Sequence, residues 1–143
     1  MVLLEANMEI TLEKLILEME LLDGVENIET TLIILPDHFD DFNKYLTLVR
    51  SADKTITRKG YGGIYQIASF HPEYCFAGAD KDDPANYTNR SPYPVLQILR
   101  EQSISRAIDQ SFDVKGIPER NIAFAHEKGM RYMQLLLAAC MKE

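Results

Sequence analysis

Thr30-Thr31-Leu32-Ile33-Ile34-Leu35-Pro36 is an unbroken apolar, β-branched run closed by a proline. Such a run reads as a strand. A strand without polar alternation is the kind buried on both faces, as in a parallel sheet. Downstream, Ile64-Tyr65-Gln66-Ile67-Ala68-Ser69-Phe70 reads as a second long strand, and upstream Val2-Leu3-Leu4 as a short buried one. About one helix and two loops separate each pair, the length a parallel crossover needs. The expectation is a single α/β domain over residues 1–143, with a small, mainly parallel three-stranded sheet (βαβαβ) flanked by helices.

The helices are read from periodicity. Leu12, Leu15, Ile16, Met19 and Leu22 recur at helical spacing after Asn7, with Asp23-Gly24 as the stop. Asp37 stands where a second helix would be capped, with Phe39, Phe42, Leu46 and Val49 as its inner stripe. Gly60, Gly62 and Gly63 make the turn into the next strand. Ser91-Pro92 reads as the N-cap and first residue of a third helix burying Val95, Leu96, Ile98, Leu99, Ile104, Ala107 and Ile108. A last helix begins near Pro118, uses Ile122, Ala125, Met133, Leu136, Leu137 and Cys140, and meets a possible break at Gly129.

Composition narrows the function classes. The 143 residues carry a net charge of -7, which disfavours nucleic acid or an anionic membrane as the main partner. Cys75 and Cys140 form no CxxC pair and read as reduced thiols of a cytoplasmic protein. MVLLEANMEI has no basic leader region, and the apolar run at 135–141 is far too short to span a bilayer.

The chemistry concentrates at 69–94, SFHPEYCFAGADKDDPANYTNRSPYP, which holds one histidine, four acids, two asparagines and one arginine. In a parallel sheet this loop, Asp37-His38 and Glu5-Asn7 would leave the same strand-end edge, where open α/β sheets bind ligands. His71, just past a buried strand, suits a general acid–base, or else satisfies buried backbone groups. Asn86, Asn89, Arg90, Ser91 and Tyr93, before the expected helix start, suit an anionic ligand. The competing reading pairs Arg90 with loop acids and closes Asx-turns through the asparagines. Asp80, Asp83 and His71 are the weak metal alternative, since the acidic stretch lacks the calcium-loop glycine and terminal glutamate. Neither Ser69 nor Ser91 has GxSxG context, and YGGIY precedes a strand rather than a helix, so no cofactor is expected.

The segment beginning at Ser69 resembles the signature of an uncharacterised family of bacterial and plant proteins, domain of unknown function fourteen-fifteen. Ser-Phe-His-Pro at 69–72, Phe76-Ala77-Gly78, Asp82-Asp83, Asn86 and Thr-Asn-Arg-Ser-Pro-Tyr-Pro at 88–94 carry it, with Leu99-Arg100-Glu101 and Glu119-Arg120-Asn121-Ile122-Ala123 beyond. The resemblance implies a shared fold and site and supplies no reaction. Family members typically open with a further helix bearing a Leu-Cys-Pro-Phe element, which this sequence is expected to lack. An uncovered sheet face, extended by Met130, Met133 and Leu137, then favours a homo-oligomer. Two functions stand side by side: an anionic small-molecule site around 69–94, with His71 acting if there is catalysis, or a non-enzymatic structural or interaction module in which the loop is a clamp.

Overall fold

A computed structural model describes residues 1–110 and 116–141, apart from the side chains of Asp109 and Gln110. Strand β1 is Thr30–Ile34, β2 is Tyr65–Phe70 and β3 is Val95–Arg100. They form one three-stranded sheet in the order β1-β3-β2, and both pairings are antiparallel. The expected parallel βαβαβ sheet is therefore wrong. Two misreadings produced it.

The first concerns alternation. Thr31, Ile33 and Leu35 point inward and are buried, whereas Leu32 between them is 43% exposed. The period of two is present, but apolar residues also occupy the outward positions and hide it. The second concerns 91–100. Val95, Leu96, Ile98 and Leu99 fit a helical stripe as well as a strand, and Ser91-Pro92 completed the appearance of a helix start. In the structure the Ser91 hydroxyl donates to the Tyr93 carbonyl instead of accepting from a helix amide. Leu35 N–H donates to the Pro94 carbonyl at 3.0 Å, so the strand pairing extends back through Pro94. Leu96 and Ile98 alternate inward, both fully buried.

Val2 contributes only an isolated parallel bridge to Ile34. Leu3 N–H donates to the Ile34 carbonyl at 2.9 Å, and Ile34 N–H donates to the Met1 carbonyl at 2.9 Å.

Helix α1, Met8–Gly24, and helix α2, Phe42–Arg58, cover the inner face. Their buried residues, Leu15, Met19 and Leu22 with Tyr45, Leu48, Ala52 and Ile56, meet Ile33, Leu35, Tyr65, Leu96 and Ile98 in one core. Asn7 caps α1 by accepting from Ile10 N–H at 2.9 Å. Gly24 is the last helical residue and is not left-handed. The cap of α2 is Asp41, whose carboxylate accepts from Lys44 N–H at 2.9 Å, and not Asp37. The buried stripe shifts accordingly to Tyr45, Leu48, Ala52 and Ile56.

Arg100 ties the sheet to the end of α1. Its guanidinium donates to the carbonyls of Leu22 and Ile28, a cation placed where the helix dipole favours one. Tyr65, whose hydroxyl donates to Asp23 at 2.7 Å, sits beside it. Burial, reinforced by Asp23, pushes the Tyr65 phenol up to about 12.

Helix α3, Glu101–Gln110, continues directly from β3, and helix α4, Ile117–Ala139, follows. Helix α4 packs on a short 3₁₀ helix at Pro84–Thr88, with Ala125 buried and His126 Nε2 2.7 Å from the Asp83 carboxylate. It breaks at Gly129, whose φ of 75° and ψ of 165° are open only to glycine.

Candidate functional site at the strand-end edge

Because β3 lies between them, β1 and β2 run in the same direction. Ile34 and Phe70 both pair with Val95, so the ends of β1 and β2 meet the start of β3 at one edge. The parallel sheet from which a shared edge for Glu5-Asn7, Asp37-His38 and the loop after Phe70 was expected is absent, but antiparallel pairing to β3 still brings the segment after β1 to the loop after Phe70.

At this edge His71 is fully buried. Its Nδ1 accepts from Glu73 N–H at 3.0 Å and its Nε2 lies 2.9 Å from the Phe39 carbonyl. An accepting Nδ1 leaves the proton on Nε2, which donates to that carbonyl. The ring stands 5.1 Å from Phe42 and 4.9 Å from Tyr45, centroid to centroid. Phe39 has a φ of 65°, in the left-handed region that costs a residue with a Cβ about 1–2 kcal/mol. His71 therefore holds a strained carbonyl in place.

Tyr45, unremarked in the sequence, is the hub beside it. Its hydroxyl donates to the Val95 carbonyl at 2.7 Å and accepts from Phe70 N–H at 3.0 Å. It joins α2 to the end of β2 and the start of β3 at one atom. Burial pushes this phenol far up, so it stays a neutral donor.

The loop is built on its own carbonyls. Fully buried Asn86 accepts from Phe76 N–H at 3.0 Å and donates to the Asp80 carbonyl at 2.8 Å. Asn89 donates to the Ser69 carbonyl at 3.1 Å, while its own carbonyl accepts from His71 N–H at 3.2 Å. Arg90 donates from Nε to the Tyr74 carbonyl at 3.1 Å and from Nη2 to the Lys81 carbonyl at 3.0 Å. Its guanidinium lies 4.4 Å from the centroid of the Tyr87 ring. Ser91 bonds locally to Tyr93, which is exposed.

The acids have separate duties. Asp80 accepts from Asp82 N–H at 3.0 Å, whereas Asp83 accepts from Ala85 N–H at 2.8 Å and faces His126. Asp80, Asp83 and His71 do not converge on a metal position. No group of three His, Cys, Asp or Glu side chains does so among the described residues.

An open cleft of about 450 Å³ lies between the start of α2 and this loop. Asp41, Phe42 and Asn43 line one side, Pro72, Glu73 and Cys75 another, and Lys81, Asp82 and Arg90 the third. Of the six residues expected to act there (His71, Asn86, Asn89, Arg90, Ser91 and Tyr93), only Arg90 lines it. The sequence reading missed Lys81 and the start of α2. The available signal was the Asp-Phe-Asn-Lys cap at 41–44, passed over in favour of Asp37.

Fold and site together define a two-layer α/β domain with a split, antiparallel three-stranded sheet and a charged cleft at its strand-end edge. The chain belongs to the family described as protein of unknown function, DUF1415, whose family model matches residues 1–135. No curated protein and no solved structure matches it. Among the described residues no helix is long and apolar enough to cross a membrane.

Proposed function

We propose that the protein binds a small molecule carrying a carboxylate or phosphate in the cleft between α2 and the 72–90 loop. The observation behind this is that Lys81 and Arg90 line the same cleft as the first residues of α2. The two side-chain cations favour an anionic group there, beside a helix start whose own cap, Asp41, already takes the Lys44 N–H. Arg90 is already oriented by the Tyr74 and Lys81 carbonyls, and neither bond uses its Nη1 edge. Orientation made in advance lowers the ordering cost of binding. Asp41, Glu73 and Asp82 line the rest of the cleft. They suit a ligand whose remainder offers hydroxyl or ammonium donors.

In this reading His71, Asn86 and Asn89 position the loop, and His71 would reach a ligand only if the site opened. No reaction is assigned. The free thiols Cys75 and Cys140 agree with a reducing cytoplasm, and the protein is taken to self-associate there.

A second reading, the loop as a structural clamp, is favoured by the carbonyl bonds of Asn86, Asn89 and Arg90. Thermal melts with and without phosphate at constant ionic strength separate the two. Binding predicts that phosphate raises the wild-type melting temperature by linkage and that Lys81→Gln loses most of the rise at an unchanged baseline. A clamp alone predicts equal, negligible shifts in both proteins. Arg90→Ala serves as the control for structure, because it removes two carbonyl bonds and lowers the baseline in either case.

A further inference from the structure

Five charged side chains among the described residues line the strand-end cleft without neutralising one another. Lys81 and Arg90 stand against Asp41, Glu73 and Asp82, an excess of one negative charge. Among the described residues no ion pair joins either cation to any of the three carboxylates. Arg90 donates to the Tyr74 and Lys81 carbonyls instead, and Asp41 accepts the Lys44 N–H as the cap of α2. The Glu73 carboxylate has no partner among the described residues.

The charges are also sorted by segment. Both cations come from the 81–90 stretch, whereas the start of α2 and the 72–75 stretch bring Asp41 and Glu73 and no cation. A ligand that is only an anion meets the two cations, but it also meets the surplus carboxylates, on a chain whose net charge is -7. Their repulsion offsets part of the attraction. A ligand carrying an ammonium beside its anionic group is attracted by both sets.

We propose that the ligand of this cleft is a small zwitterion, its carboxylate or phosphate held by Lys81 and Arg90 and its ammonium by the Glu73 carboxylate. This rests on the anion site already proposed and adds the cationic end of the ligand. Glu73 is the acceptor because Asp41 is engaged as a cap and Asp82 adjoins Lys81 in sequence. The main chain fixes where Glu73 stands, since its N–H donates at 3.0 Å to Nδ1 of the buried His71, while its side chain is left open to solvent. An ion pair so exposed strengthens binding by only roughly two- to fivefold, enough to set a preference.

Two matched pairs of probes test this, each pair differing by the ammonium alone: O-phosphoethanolamine against ethyl phosphate, and β-alanine against propionate. Affinities are read from amide NMR titrations at constant ionic strength, at Asn43, Glu73, Lys81 and Arg90. In at least one pair the ammonium-bearing member is expected to bind roughly two- to fivefold tighter. Glu73→Gln, which keeps the N–H bonded to His71, is expected to abolish that preference without weakening the plain anion. Asp82→Asn removes the same charge and is expected to keep most of the preference. Plain anions that saturate these amides as tightly as their ammonium-bearing partners overturn the zwitterion and leave the anion site standing. A preference that survives Glu73→Gln, or falls equally in both variants, overturns the pairing with Glu73. No saturable shift with any of the four probes overturns the anion site as well.

Discussion

At His71 both ring nitrogens are held by backbone, Nδ1 by Glu73 N–H and Nε2 by the Phe39 carbonyl, inside a fully buried pocket. Removing the ring would leave the part-buried Glu73 N–H and Phe39 carbonyl without this partner, and a void between Phe42 and Tyr45. Each effect is costly: about 1–3 kcal/mol for an unsatisfied group and a similar sum for a cavity. His71→Ala should therefore lose about 2–4 kcal/mol of stability in urea denaturation. A histidine serving as a solvent-open base would cost far less, so a loss under about 0.5 kcal/mol would contradict the positioning role. That His71 matters was legible from its place between a buried strand and a proline. What it does was not, because its partners, Phe39 and Glu73, are fixed by a loop conformation that spacing does not encode.

At the level of elements, the contact between α4 and the 3₁₀ helix turns on Asp83. Its carboxylate accepts from Ala85 N–H and faces His126 Nε2. The Ala85 amide first, and His126 second, hold this carboxyl below the usual range. A carboxyl lowered in the folded state stabilises above its unfolded pKa, and that stabilisation fades as pH falls through the folded one. Wild type should thus melt above Asp83→Asn at neutral pH, and the gap should close in acid, below the ordinary aspartate range. A gap independent of pH in thermal melts would show that the carboxylate's charge is irrelevant to this junction.

Helix α1 was legible because its apolar spacing is regular, and strands β1 and β2 because their runs are apolar and β-branched, whereas α2 was placed with the wrong cap and inner stripe. Strand β3 was not legible. Val95, Leu96, Ile98 and Leu99 satisfy both periodicities, and a Ser-Pro pair favoured the helix. Sequence spacing gives no sign that 95–100 inserts between two strands that precede it, since that pairing is wholly non-local. With β3 misplaced, the parallel sheet followed, and the anion site was put at a helix start that does not exist.

For the whole molecule, the insertion of β3 between β1 and β2 brings the ends of two strands, the start of α2 and the 72–90 loop to one edge. The arginine of the cleft was legible in the sequence. Its companions, Lys81 and the Asp41 cap, became visible only once topology set α2 opposite the loop. A second groove carries cations: Lys54 and Arg58 line a space of about 390 Å³ with Leu12, Ser51 and Thr55. Melting shifts report binding but not its place. Amide NMR during a phosphate titration at constant ionic strength reports the place directly. Binding at the strand-end cleft predicts saturable shifts at the amides of Phe42, Asn43, Lys81 and Arg90, with Ser51, Lys54, Thr55 and Arg58 unmoved. Shifts confined to those four residues of α2, or none that saturate, would contradict it.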